Sequence, residues 1–268
     1  MKNKKVLLYY LLEFVLTIFV FITILLLLLK LTMLNKNYIT NILEKNNYYH
    51  EVYLDINNDY ENYLLSSGFD KEIIKDIFTE EQVKKDINNM VDNYYQGKEI
   101  KIATKNIKEK LELNIENYLD KINITITDED SLNLFKEEIL NIYNEKIILH
   151  KSITKYSNLF SRLNKIILLL LLSLIIIDIF LFIIIKKLFR KITLTIPIIS
   201  SMLLLLLFYT FFLSKINIKS IIFWNDYVSK VIKNIFIDIN NNIKLTIIIG
   251  IILEFVKLLL VIIKNKRA

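Results

Sequence analysis

Four ionisable residues stand inside stretches of the chain that are otherwise strongly apolar. Glu13 lies in the first stretch, Asp178 in the second, and Glu254 with Lys257 in the last. A charge at the centre of a bilayer costs roughly 2.5–3.5 kcal/mol on insertion scales, so four unpaired charges would cost on the order of 10–14 kcal/mol. We therefore expect these side chains to face one another inside a helical bundle or to be neutralised.

The third apolar stretch carries polar groups of another kind, with a proline that predicts a bent helix and two serine hydroxyls beside it. Counted from the lysine-flanked end of each stretch, all these residues lie at a similar depth, roughly 10–15 Å at 1.5 Å per residue. We therefore predict a single intramembrane polar layer. Its members are Glu13, Asp178, Pro197, Ser200, Ser201, Glu254 and Lys257.

Two roles remain open for this layer. Glu254 and Lys257 are three residues apart on one helical face and can form an ion pair. Of the remaining Glu13 and Asp178, at least one is expected to have a raised pKa, share a proton or bind a cation. In the first role, the layer fastens the helices to one another, because hydrogen bonds between membrane helices contribute about 0.6–2 kcal/mol each. The alternative is a proton or ion relay, or a pathway for a small substrate.

Other chemistry finds little support in the residues present. The chain has no Cys, which excludes disulfides, thiolate nucleophiles and cysteine-based metal sites. His50 and His150 are a hundred residues apart and neither belongs to a metal-binding motif, while Ser66 and Ser67 precede Gly68 at an expected helix end. We predict no catalytic residue, no metal site and no cofactor, and hence a protein that is not an enzyme.

The elements that position the polar residues are predicted to be long helices. The chain is 54% hydrophobic, with a mean hydropathy of +0.41, three Gly and one Pro, and so few turn residues argue against a sheet-rich fold. A hydrocarbon core about 30 Å thick requires about 20 apolar residues. Four such runs predict an all-α membrane protein with transmembrane helices at 6–29, 166–185, 192–213 and 245–263. The bias to Ile, Leu, Lys and Asn is typical of an AT-rich genome and indicates a low-GC bacterium.

Basic residues predict the orientation of these helices. They concentrate without any acidic residue in the amino terminus 1–5, the loop 186–191 and the tail 264–268, which we therefore place in the cytoplasm. These residues are Lys2, Lys4, Lys5, Lys186, Lys187, Arg190, Lys191, Lys264, Lys266 and Arg267. The predicted location is the cell membrane, with both termini cytoplasmic and the first helix an uncleaved anchor. The net charge of +7 then reflects orientation and does not indicate a nucleic-acid partner.

Residues 30–165 are predicted to form a helical domain outside the cytoplasm, inserted between the first and second transmembrane helices. Apolar residues at helical spacing indicate that the first helix continues outward until Gly68. A capping box beginning at Thr79 starts a helix that ends at Gly97. Thr104 is expected to begin another helix, and either Thr127 or Asp128 a final one. Eleven of the fifteen tyrosines lie in this region, either as core residues or as a binding surface.

The second outer segment, 214–244, is predicted to be an amphipathic loop. Apolar residues recur there at alternating spacings of three and four, which favours a helix with one apolar face. We expect this face to lie at the bilayer interface or to dock on the larger outer domain. The stripe consists of Ile221, Trp224, Val228, Val231 and Ile235.

The order of one span, a large outer domain, two spans around a basic hairpin, a smaller outer loop and a last span resembles that of the FtsX-like permeases, which work with a cytoplasmic ATPase. The likeness covers topology only, because five residues before the first span leave no room for a cytoplasmic coupling helix. Our leading hypothesis is a non-enzymatic membrane protein whose outer domain binds a protein partner in the envelope, as a sensor, assembly or accessory subunit, or forms a homo-oligomer. The alternative is a small ion- or proton-coupled transporter or permease-like subunit.

Overall fold

The structure, a computed structural model, describes residues 2–124, 128–147, 156–188, 195–220, 222 and 225–267. Within these ranges the chain is 86% helical and has no strand, which confirms the all-α prediction. Nine α-helices are described there, joined in places by 3-10 turns at Lys71–Ile74, Leu213–Lys215 and Ile218–Ser220. The helices are α1 Lys2–Leu31, α2 Lys36–Lys45, α3 Tyr48–Ser67, α4 Glu80–Gln96, α5 Lys105–Ile122, α6 Glu129–Ile147, α7 Ser157–Leu188, α8 Thr195–Phe211 and α9 Asp226–Arg267.

Among the residues that the structure describes, four helices are long and apolar enough to cross a membrane, as predicted. The candidate spans are Leu7–Leu31, Ser157–Leu188, Pro197–Lys215 and Asp226–Val256. By its contacts the chain divides into two units, Met1–Ile39 with Asn164–Ala268, called here the bundle unit, and Thr40–Leu163, called here the helical unit.

In the bundle unit, α1 and α8 run in the same direction. The Ser201 hydroxyl donates to the Thr17 carbonyl at 3.0 Å, and further along both helices the rings of Phe21 and Phe208 lie 6.4 Å apart. Contacts that advance together along both helices define a parallel pair. Helix α7 runs against α1, since Thr23 contacts Asp178 whereas the later Lys30 contacts the earlier Asn164.

Helix α9 packs antiparallel to α8. Gly250 lies against Met202, and Lys244, earlier in α9, has its amine 5.3 Å from the ring of Tyr209, later in α8. An apolar core forms around Leu205, Ile243 and Ile247, with side chains of α1 packed against it. These α1 residues are Phe21, Ile24, Leu25 and Leu28.

The structure makes the predicted fourth span and the amphipathic segment before it parts of one helix. Helix α9 has 42 residues, which at 1.5 Å per residue is about 63 Å, roughly twice the thickness of a hydrocarbon core. Within the described residues 225–267, no helix break marks the predicted boundary at residue 245. Of the predicted stripe, Val231 is buried and Val228 and Ile235 are half-buried, whereas Ile221 and Trp224 lie outside the described residues.

The predicted continuation of the first helix as far as Gly68 is wrong. Helix α1 ends at Leu31, and Asn47 has a left-handed backbone with φ of 58°, so that α2 and α3 are separate helices. Asn adopts this conformation more readily than most residues because its short polar side chain bonds locally. The prediction rested on apolar spacing, which does not reveal a helix break that lies between residues at helical spacing.

Several helix ends predicted from local capping signals in the helical unit are confirmed. Gly68 and Gly97 end α3 and α4 with positive φ of 77° and 69°, and the Thr79 hydroxyl accepts the N–H of Gln82 at the start of α4. Thr104 precedes α5, but its hydroxyl makes no capping hydrogen bond. At the next helix, Asp128 accepts the Ser131 N–H at 3.1 Å.

The core of the helical unit is formed by one face of each helix. Side chains of α3, α4, α5 and α6 meet there with those of the 3-10 turn, and tyrosine and phenylalanine rings pack edge to face among them. The fully buried members include Val52, Ile56, Tyr60, Ile73, Val83, Ile87, Ile107, Leu111, Ile139 and Tyr143.

Candidate functional site

One group of buried polar side chains in the bundle unit lies on α1 and α8. Glu13 is only 5% exposed and accepts a hydrogen bond from the hydroxyl of Tyr9, one turn earlier in α1. One turn later, Thr17 donates to the Glu13 carbonyl at 2.9 Å. Ser201, completely buried, lies within 3.0 Å of the Thr17 carbonyl and 2.6 Å of the Pro197 carbonyl. A side-chain hydroxyl thus joins α1 to α8 at this level.

Helix α9 contributes Glu254 at nearly the same level. Glu254 is 6% exposed and lies one turn beyond Gly250, which packs against Met202. Glu254 lies four residues, about 6 Å along α9, beyond Gly250. Because α8 and α9 are antiparallel, this step runs from the level of Met202 towards the level of Pro197 on α8. Glu254 therefore lies near the level of the predicted α8 residues.

Four predicted members of the polar layer are thus brought to one region, and we call them, with Thr17, the buried polar cluster. Its residues are Glu13, Thr17, Pro197, Ser201 and Glu254. Ser200 is half-buried beside Ser201. The Lys257 side chain lies outside the described residues, so the predicted ion pair with Glu254 stays a prediction.

Asp178 does not join this cluster. Its Oδ2 accepts the Thr23 hydroxyl at 2.8 Å, and Thr23 lies ten residues after Glu13, about 15 Å further along α1. The other carboxyl oxygen, Oδ1, is buried and has no hydrogen-bond partner among the described residues. The prediction counted Glu13 and Asp178 to the same depth from the lysine-flanked ends of their spans. The two residues nevertheless lie at different levels, because α7 is displaced along its axis relative to α1.

Pro197 is buried and is the third residue of α8 as described. Residues 191–194, directly before α8, lie outside the described residues, so the predicted bend of this helix stays a prediction. The Pro197 carbonyl accepts the hydrogen bond of the Ser201 hydroxyl.

Sequence reasoning missed three polar partners on α1, namely Tyr9, Thr17 and Thr23. The first two were detectable, because Tyr9, Glu13 and Thr17 recur every four residues and so lie on one helical face. Thr23 falls outside this spacing and is identified only by its contact with Asp178.

Of the ten tyrosines in the helical unit, four are buried, five are half-buried and Tyr156 is exposed. Tyr48, Tyr49, Tyr60 and Tyr143 are buried, and burial raises the pKa of Tyr49 to about 12. This favours the core interpretation over a tyrosine-rich binding surface.

One buried tyrosine makes a charged hydrogen bond. The Tyr143 hydroxyl donates to the Asp86 carboxylate at 2.8 Å and joins α6 to α4. Burial raises the pKa of Asp86, and the hydrogen bond from Tyr143 partly offsets that rise. The contact is therefore a structural one with a pH-dependent component.

Neither histidine forms a metal site in the described structure. His50 Nδ1 lies 2.8 Å from the Glu80 carboxylate at an exposed position, and His150 lies outside the described residues. No group of three or more His, Asp or Glu side chains in the described ranges is arranged to hold a metal ion.

Comparison with known protein families, with curated proteins and with solved structures finds no match to this chain, so its function is inferred from its residues and their geometry.

Proposed function

We propose that the chain is a multi-pass protein of the cell membrane with cytoplasmic termini, and that its helical unit lies outside the cytoplasm and binds a protein partner of the envelope. The orientation rests on the ten basic residues of the three short segments and on the alternating directions of α1, α7, α8 and α9. In this arrangement the protein is not an enzyme, and the buried polar cluster fastens its membrane helices.

The observation that carries the partner-binding proposal is a pair of exposed leucines on neighbouring helices. Leu65 is 76% exposed at the end of α3, and Leu134 is 67% exposed near the start of α6. The rings of Tyr63 and Phe135, two and one residues away, stack 5.6 Å apart, which brings these ends of α3 and α6 together. Exposed apolar side chains that gather on one surface mark interaction sites more often than leucines scattered singly.

Site-specific photocrosslinking in intact cells tests this proposal. A crosslinker placed at Leu65 or Leu134 is expected to yield the same discrete adduct, while a crosslinker at Leu113, a 56% exposed leucine on α5, yields none. An adduct with a second copy of the chain would make the partner a homo-oligomer. No adduct at either site, or the same adduct at all three, would refute a specific surface there.

The absence of Cys makes the proposed orientation directly testable. A single cysteine at Glu116 should react with a membrane-impermeant maleimide in intact cells, whereas one at Lys266 should react only after the membrane is opened. The reverse pattern would place the helical unit in the cytoplasm and contradict the proposal.

A second candidate function is small ion- or proton-coupled transport. The observation that favours it is that Glu13 and Glu254, on adjoining helices, are both almost completely buried near one level. Two such carboxyl groups are costly in a bilayer unless they are paired, protonated or hold a cation. Glu13→Gln and Glu254→Gln variants that accumulate normally but lose ion flux in vesicles would support transport. Loss of accumulation would support fastening instead.

A further inference from the structure

A cleft of ≈ 240 Å³ opens on the surface of the helical unit, beside α5 and the 3-10 turn Lys71–Ile74. Among the described residues, no aliphatic side chain lines it. Four of its residues follow one face of α5 at spacings of three, one and three, and two belong to the 3-10 turn or directly follow it. The lining residues are Glu72, Lys75, Asn114, Asn117, Tyr118 and Lys121.

One part of this cleft is held in place by hydrogen bonds. The Asn114 amide donates to the Ile73 carbonyl at 3.0 Å and to the Lys75 carbonyl at 2.8 Å, so both of its N–H donors are used and its side-chain oxygen remains an acceptor. Lys121 binds both carboxylate oxygens of Glu72, at 2.8 and 2.7 Å. The 3-10 turn is thereby tied to α5 at two points.

The other part of the cleft presents polar side chains that are not hydrogen-bonded to the described part of the protein. The side chains of Lys75, Asn117 and Tyr118 make no hydrogen bond or ion pair with any other described residue. Since Lys121 is paired with Glu72, the amine of Lys75 supplies the remaining charge, and the lining has two cations and one anion. A negatively charged ligand group would accept a charge-assisted hydrogen bond from the Lys75 amine.

We infer that the cleft binds an anionic saccharide, whose carboxylate or phosphate contacts Lys75. The Asn114 side-chain oxygen, the Asn117 amide and the Glu72 carboxylate are suited to hydrogen bonds with the hydroxyl groups of a sugar ring. The Tyr118 ring supplies the flat surface that the C–H face of a sugar packs against. The cleft has no aliphatic residue among its described lining residues, and a purely apolar ligand would leave its amide, carboxylate and amine groups without partners. The inference rests on the proposed function only in placing the helical unit where envelope saccharides occur.

Saturation-transfer NMR and calorimetry on the full-length protein in detergent test this inference. The probes are glucuronic acid, glucose 6-phosphate and glucose, which differ in the anionic group. We expect at least one acidic sugar to bind about tenfold more tightly than glucose, as one charge-assisted hydrogen bond would provide. Binding of only one acid would identify the carboxylate or the phosphate as the recognised group.

Paired variants separate the cleft from general surface charge. Lys75→Gln should remove the preference for acidic sugars, and Lys108→Gln, an exposed lysine on α5 that does not line the cleft, should leave it unchanged. Circular dichroism verifies that both variants fold. Failure of both acids to bind, equal binding of all three sugars, or equal effects of the two variants would overturn the inference. Cysteine labelling tests orientation separately, so the two failures are distinguishable.

Discussion

A close approach between α8 and α9 makes the effect of one substitution depend on a second residue. A Cβ atom added at Gly250 would lie 2.6 Å from Met202 Sδ, 2.9 Å from its Cγ and 3.0 Å from its Cε. All three are atoms of one flexible side chain, so the methionine must move. Overpacking of this kind costs about 1–3 kcal/mol, whereas replacing Gly by Ala within a helix gains about 1 kcal/mol. In the wild-type background Gly250→Ala is therefore expected to lower stability by up to about 2 kcal/mol.

In a Met202→Ala background the same substitution is expected to be stabilising. The clash is then absent and the helix-propensity gain of about 1 kcal/mol remains, so the coupling between the two sites is about 1–3 kcal/mol. Thermal unfolding of the four proteins in detergent measures this, at about 2–4 °C per kcal/mol for a chain of this size.

The control is Ile251→Ala, an exposed neighbour whose effect should be the same in both backgrounds. If Gly250→Ala raised the melting temperature equally with and without Met202, the described α8–α9 packing would be refuted.

Three further predictions concern other contacts. Gly97→Ala should destabilise the protein more than Gly68→Ala. Both glycines have positive φ, so an alanine costs about 1–2 kcal/mol at either position, but only at Gly97 would the new Cβ clash, 2.8 Å from the Ser161 Cβ of α7. Equal melting temperatures of the two variants would contradict this. Asp86→Asn should stabilise the protein near neutral pH, because burial raises the Asp86 pKa and so disfavours its charged form. This advantage should be lost as the pH falls from the raised pKa to the ordinary carboxyl pKa, and a pH-independent difference would refute this reasoning. Ser201→Ala should lower thermal stability in detergent by about 0.6–2 kcal/mol without altering secondary structure, and an unchanged melting temperature would argue against a fastening role.

Asp86 also illustrates the sign of the pH effect. Its pKa is raised above the ordinary value of 3.8 in the folded state, so the folded protein binds this proton more tightly than the unfolded chain. The stabilising contribution is fully present below the ordinary pKa and is lost as the pH rises through the raised one. Asparagine keeps an oxygen that accepts the Tyr143 hydroxyl and carries no charge at any pH, which isolates the titration from the loss of the hydrogen bond.

The partly correct polar layer shows which properties a linear sequence can supply. The prediction counted the depth of each residue from the lysine-flanked end of its helix. The count placed Glu13, Ser201 and Glu254 at one level correctly, because the lysine-flanked ends of α1, α8 and α9 lie at similar levels. The same counting failed for Asp178, since a longitudinal shift of α7 changes no residue count. Only side-chain contacts between helices determine that shift.

What the sequence alone determined is local: helix class, the four apolar spans and the helix ends at Gly68 and Gly97. Each depends on residues within a few positions of one another, through hydrophobic run length or the left-handed conformation that glycine accepts. The tertiary structure decided the pairing of Thr23 with Asp178 and the close approach of Gly250. Those contacts join residues far apart in the chain, and their geometry depends on helix stagger and side-chain packing, which no local pattern encodes.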